Sequence, residues 1–140
     1  MRYRPFLTGL VLAGAVFVPA SGAMALTSFV TPSRNIGCIG DKSDVRCDIK
    51  ETSGTPPKRP PNCQQDWGSA FRVRATGRGQ GVCAGDTALP SPGQTGVRVI
   101  AYGKSIRFGK ITCFSQKTGM TCRNTAPHGF TLSREAIRVF

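Results

Sequence analysis

Cys38-Ile39-Gly40-Asp41-Lys42-Ser43-Asp44-Val45-Arg46-Cys47 is the stretch whose reading decides the fold. Eight residues separate its two cysteines, and the same gap separates Cys113 from Cys122. Each gap holds polar turn residues, Asp41-Lys42-Ser43-Asp44 in one and Ser115-Gln116-Lys117-Thr118-Gly119 in the other. Two β-hairpins whose strands are tied by a disulfide have this spacing. Directly opposed residues of antiparallel strands come within about 4.5–5.5 Å, which suits a disulfide. The expected register pairs Ile39 with Arg46 and Gly40 with Val45, and in the second hairpin Phe114 with Thr121 and Ser115 with Met120. Cys63 and Cys83 are left to close the third, longer loop.

The compartment decides whether the cysteines are read this way. Met1-Arg2-Tyr3-Arg4 is a short positive segment, followed by an apolar run from Phe6 to Val18 and the small-residue pattern Ala23-Met24-Ala25. That order predicts a signal peptide over residues 1–25, cleaved after Ala25. The run is shorter than the roughly 20 apolar residues of a membrane-spanning helix. The expected product is an exported protein, periplasmic or secreted, with no membrane span after cleavage. There an even set of six cysteines reads as three disulfides. Metal binding is the weaker reading, since the chain has no C-x-x-C and one histidine. No metal or cofactor is expected.

Residues 26–140 are long enough to form one small domain with its own core. The whole chain has 17 glycines and 10 prolines. No stretch keeps helical apolar spacing, so the expected class is all-β: disulfide-clipped antiparallel hairpins with few or no helices beyond the signal peptide. Phe71-Arg72-Val73-Arg74-Ala75 alternates, as do Val97-Arg98-Val99-Ile100-Ala101-Tyr102 and Ile106-Arg107-Phe108. The last two are expected to pair as a third hairpin. Phe29-Val30 and Phe130-Thr131-Leu132 read as strands. Ser133 is expected to cap one helical turn over Arg134-Glu135-Ala136 before Ile137-Arg138-Val139-Phe140 alternates again. Glu51–Asn62, with its four prolines, and Gly85–Gly96 read as surface connections.

Several runs resemble an uncharacterised family of exported bacterial domains. They are Phe29-Val30-Thr31-Pro32-Ser33-Arg34-Asn35-Ile36-Gly37-Cys38, Val45-Arg46-Cys47-Asp48-Ile49 and Cys63-Gln64-Gln65-Asp66-Trp67-Gly68. Val82-Cys83-Ala84-Gly85-Asp86-Thr87, Tyr102-Gly103, Gly119-Met120-Thr121-Cys122-Arg123-Asn124 and His128-Gly129-Phe130-Thr131-Leu132-Ser133-Arg134 complete the set. Arg34 and Pro127 stand where the family tends to have glycine. The resemblance implies secretion and the cysteine framework. It implies no catalytic residue, because the family is one of unknown function.

Function is therefore weighed from charge. The chain has 19 basic and 7 acidic residues, a formal net charge of +12, and loses Arg2 and Arg4 with the signal peptide. Arg72, Arg74, Arg98, Arg107 and Arg138 alternate with apolar residues, so they are candidate anion-binding groups on the solvent face of strands. If those strands adjoin, they form a basic plate that attracts polyanions. The expected function is non-catalytic binding of an anionic envelope polymer or an acidic protein, with nucleic acid not the favoured partner. Arginines that merely keep the protein soluble and blunt sheet edges are the bland counterpart. The enzyme alternative is a small secreted ribonuclease, with Glu51 or Glu135 as base, His128 as acid and Arg134 or Arg138 as the cation. The favoured reading of His128 is structural, a turn residue whose ring hydrogen-bonds a loop carbonyl. A protein–protein interaction module is the third class. Trp67, beside Cys63, is expected to pack there rather than stack on a base.

Overall fold

The computed structural model describes residues 14–19 and 25–140. Most of the expected signal peptide lies outside the described residues. Among the described residues no helix is long and apolar enough to cross a membrane, and these residues are all-β.

Among the described residues eleven strands form two sheets. The first contains β1 (Thr27–Val30), β2 (Ile36–Gly40), β3 (Asp44–Ile49), β4 (Ala70–Arg74), β5 (Gln80–Gly81) and β6 (Arg98–Val99), in the order β5-β4-β3-β2-β1-β6. The second contains β7 (Ser105–Phe108), β8 (Ile111–Gln116), β9 (Gly119–Arg123), β10 (Gly129–Leu132) and β11 (Ile137–Val139), in the order β11-β10-β9-β8-β7. All pairings are antiparallel except that of β6 with β1.

Both clipped hairpins have the expected register. Cys38 faces Cys47 with a Cα separation of 4.1 Å, and Cys113 faces Cys122 at 4.0 Å. Cys63 is bonded to Cys83. Because side chains alternate along a strand, fixing each cysteine inward fixes its neighbours. In the first sheet, Phe29, Cys38, Cys47 and Phe71 are successive cross-strand partners. In the second, Ile106, Cys113, Cys122, Phe130 and Val139 are. The two rows meet face to face. The Sγ atoms of Cys47 and Cys122 lie 3.7 Å apart, in van der Waals contact. Phe71 and Phe130 ring centroids are 6.3 Å apart, and Phe29 and Phe108 are stacked at 5.7 Å. Val45, Val73, Ile111, Met120 and Leu132 belong to the same core, as do Ile36, Ile49 and Ile100.

One edge of the sandwich is laced shut. Gly79 N–H donates to the carbonyl of Phe140 at 2.9 Å, and Phe140 exchanges hydrogen bonds with Gly129. A Cβ at Gly79 would overlap the Gly129 carbonyl, so this approach requires glycine. Asn124 Nδ2 adds donations to the carbonyls of Arg74 and Gly77, at 3.1 and 2.8 Å. The proline-rich connection lies against the protein: Trp67 Nε1 donates to the Pro57 carbonyl at 2.8 Å, and the indole covers Gly81.

Two expectations about local structure are corrected. Val97–Tyr102 and Ile106–Phe108 do not form a hairpin. The chain changes sheets between them, so β6 joins β1 while β7 joins β8. Ser133 starts no helical turn. Its Oγ accepts from Ala136 N–H at 2.9 Å as a cap would, but Ser133 N–H donates to the Ala136 carbonyl and the chain folds back as the β10–β11 hairpin.

Position 34, in the β1–β2 turn, is one whose backbone favours glycine. Arg34 N–H donates to the Thr31 carbonyl at 2.9 Å, and Arg34 then takes φ 58°, the one positive value among non-glycine residues described. A tight turn followed by a left-handed residue is what this hairpin loop requires. Arg34→Gly is expected to keep the fold and add up to about 1 kcal/mol of stability, read from guanidinium unfolding; a loss of stability would sink this account of the turn. In the same assay, replacing Cys113 and Cys122 together by alanine is expected to cost about 2–5 kcal/mol. A cost near zero would show that the core does not depend on that clip.

Candidate functional site

The five candidate arginines are distributed over both sheets, and the single plate that adjoining strands would make is not formed. Arg72 and Arg74 lie on β4, while Arg98 lies on β6 at the far edge of the same sheet. Arg107 and Arg138 lie on β7 and β11, the two edges of the second sheet.

The two outer faces differ in charge balance. Six of the seven carboxylates fall between Asp41 and Asp86; only Glu135 follows. Three of the first sheet's four strand arginines, Arg46, Arg72 and Arg74, are consequently compensated, and Arg98 on β6 has no ion pair among the described residues. Arg46 grips Asp48 through two hydrogen bonds, at 2.8 and 2.9 Å, and Asp86 through a third at 2.8 Å. Its second terminal nitrogen also donates to the Asp86 carbonyl, which ties down the Gly85–Gly96 connection. Burial opposes the charge on Arg46, yet these acceptors hold its pKa above the ordinary value. Asp44 lies between Arg72 and Arg74, with Arg72 Nε at 2.9 Å, out of line for a hydrogen bond, and Arg74 Nε at 3.9 Å.

The second sheet carries no carboxylate within its strands. With Cys113 and Cys122 pointing inward, alternation turns Thr112, Phe114, Thr121 and Arg123 outward. Arg107, Thr112 and Arg123 are successive cross-strand partners, which sets the two arginines about 10 Å apart. The adjacent row runs Ser105, Phe114, Thr121, Thr131, Arg138. Arg123 stacks over the Phe114 ring, its guanidinium carbon 5.2 Å from the centroid. Arg107 Nε donates to the Gly109 carbonyl at 2.8 Å, which fixes the side chain and leaves both terminal nitrogens clear of that bond. Together with Lys110 and Asn124 these residues line an open cleft of about 380 Å³. Arg107, Arg123 and Arg138 are exposed. Arg123 escaped the sequence reading although its signal was present: it immediately follows an inward cysteine.

The acid–base residues of the enzyme alternative separate into two groups. Glu51 accepts from Arg134 at 2.8 Å, and Glu135 lies beside them. His128 sits in the β9–β10 turn, where its backbone N–H donates to Asn124 Oδ1 and its carbonyl accepts from Asn124 N–H. That turn is at the opposite end of β10, roughly 20 Å away along the chain. Histidine and glutamates therefore do not flank one phosphate. Among the described residues, no three His, Cys, Asp or Glu side chains group as a metal site.

What the fold and the site define is a disulfide-clipped β-sandwich with one compensated and one uncompensated basic face. A model of a family of unknown function, DUF6636, matches residues 9–140, and the chain belongs to that family. No curated protein and no solved structure matches it.

The ion pairs make stability depend on pH. Hydrogen bonding to Arg46 holds the Asp86 carboxyl below the usual carboxylate range, and hydrogen bonding to Arg134 does the same for Glu51. Groups lowered by folding stabilise fully above their unfolded pKa and lose that contribution as pH falls through the folded value. The melting temperature is therefore expected to fall between about pH 5 and pH 2. In the double variant Asp86→Asn, Glu51→Gln the decline should be shallower; an unchanged slope would assign it to other groups.

Proposed function

We propose that the protein is an exported, non-catalytic module, freed of residues 1–25, that binds an anionic polysaccharide of the cell envelope or its surroundings. The outer face of the second sheet is the binding surface, with Arg107 and Arg123 at its centre and Arg138 at its far edge. The observation that carries this reading is the absence of any carboxylate within the five strands of that sheet. An extended polyanion lying across the strands meets three arginines and the hydroxyls of Thr112, Thr121 and Thr131, and at no point a strand carboxylate. The three disulfides suit an oxidising compartment, where such polymers are found. Polysaccharide is favoured over single-stranded nucleic acid because Phe114, the aromatic on this face, is already covered by Arg123. A binder of single strands keeps its aromatic faces open for bases. Arg72 and Arg74 belong to the compensated sheet and Arg98 to its far edge, so none of the three contributes directly.

Heparin chromatography against a cation exchanger of matched charge density tests this. The oxidised protein is expected to elute from heparin at distinctly higher salt. Arg107→Glu with Arg123→Glu should abolish the difference and weaken heparin binding about tenfold or more, equivalent to ~1.4 kcal/mol. Arg72→Glu with Arg74→Glu changes net charge equally and should preserve it. Equal losses in the two double variants would mean that only bulk charge is sensed. Tighter retention by single-stranded DNA than by heparin would overturn the choice of ligand.

A further inference from the structure

A second cleft, of about 310 Å³, opens at one end of the sandwich, where four turns meet. These are the β1–β2 turn, the crossing between sheets at Ala101–Lys104, the β8–β9 turn and the β10–β11 turn. We infer that this cleft binds one or two units of an uncharged sugar. The site is separate from the basic sheet face and does not depend on the function proposed for it.

One wall is a built polar surface. Ser33 Oγ lies 3.2 Å from Thr31 Oγ1 and accepts from Asn35 N–H at 3.3 Å. The Asn35 side chain is locked in turn, donating to the Glu51 carbonyl and accepting from Glu51 N–H, both at 3.0 Å. Arg34 takes the left-handed conformation within this turn. Arg134 is fixed by Glu51 at 2.8 Å. Tyr102, Gln116, Lys117, Thr118 and Glu135 also belong to the lining, and the tyrosine is 38% exposed.

The chemistry of the lining selects the ligand class by elimination. Arg134 is neutralised by its pair with Glu51, which lies outside the lining, and Lys117 and Glu135 offset each other in charge, so the lining selects strongly for neither anions nor cations. An apolar ligand would displace water from hydroxyls, amides and charges without replacing their hydrogen bonds, which is unfavourable. A sugar ring meets both demands: its hydroxyls donate and accept in any combination, and its C–H face stacks on an exposed aromatic ring such as Tyr102. The volume lies at the small end of ligand sites and suits a mono- or disaccharide.

Amide chemical-shift titration of the isotope-labelled, oxidised protein tests the inference with N,N′-diacetylchitobiose, cellobiose and maltose as probes. At least one is expected to give saturable shifts at Asn35, Gly103, Gly119 and Glu135, with a Kd of about 1 mM (about −4 kcal/mol). Tyr102→Ala should weaken binding about tenfold, and Tyr102→Phe should restore it. Gln116→Ala, an exposed position, provides a second variant should Tyr102→Ala misfold, and is expected to weaken the same probe. The inference is overturned if no probe shifts these residues up to about 20 mM, where a millimolar site is nearly full. It is also overturned if the shifts fall only on the second sheet's face. Heparin retention unaltered in Tyr102→Ala would keep the two sites distinct whichever of them fails.

Discussion

Contact between two disulfides across the core governs this structure. Each clip joins neighbouring strands of its own sheet, and the sulfurs of Cys47 and Cys122 touch at 3.7 Å. Once four cysteines are committed inward, period-two alternation decides the facing of every residue in the flanking strands. Phe29, Phe71, Phe108 and Phe130 then come together beside the sulfurs because their strands are registered to the cysteines. A chain with only short strands thus obtains a dry centre that its modest apolar content would support poorly without covalent help.

The same commitment creates the contrast between the outer faces. Residues next to inward cysteines point outward, so the neighbours of Cys47 and Cys122 set the surface chemistry. In the first sheet Arg46 and Asp48 flank the cysteine and pair with each other, with Asp86 brought in by the long connection. In the second sheet Thr121 and Arg123 occupy the corresponding places. Net charge says how much positive potential the protein carries; the location of acids says where it is left uncancelled.

Much of the fold was legible in the sequence, and what was not has identifiable physical causes. Equal cysteine gaps determined two hairpins, their registers and, by elimination, the third disulfide. Alternation recognised Val97–Tyr102 and Ile106–Phe108 as extended, but period two is the same in either sheet, so a crossing between sheets read as a hairpin. Ser133 makes the local hydrogen bond of a helix cap; the return of the chain beside β10 is a tertiary fact that a window of four residues lacks. For the candidate site, arginines could be assigned to the solvent face. Their compensation could not, since Arg46 and Asp86 are 40 positions apart. Arg107 and Arg138 were selected by alternation alone, Arg123 was passed over, and the end cleft assembles from four turns remote in sequence.

The matching registers have a consequence for how the chain is organised. β1–β4 and β7–β10 are two four-strand meanders of one plan: an inward apolar residue, Cys, Cys and an inward Phe, taken as Phe29, Cys38, Cys47, Phe71 and as Ile106, Cys113, Cys122, Phe130. Both second strands begin Ile-x-Cys, and both cysteine pairs are nine positions apart. The two meanders are therefore matched in plan, with Cys47 of one touching Cys122 of the other across the core. Arg46 and Thr121 are equivalent positions in the two halves, as are Asp48 and Arg123. A carboxylate in one half where the other has a guanidinium is the exchange that makes twin scaffolds present unlike surfaces.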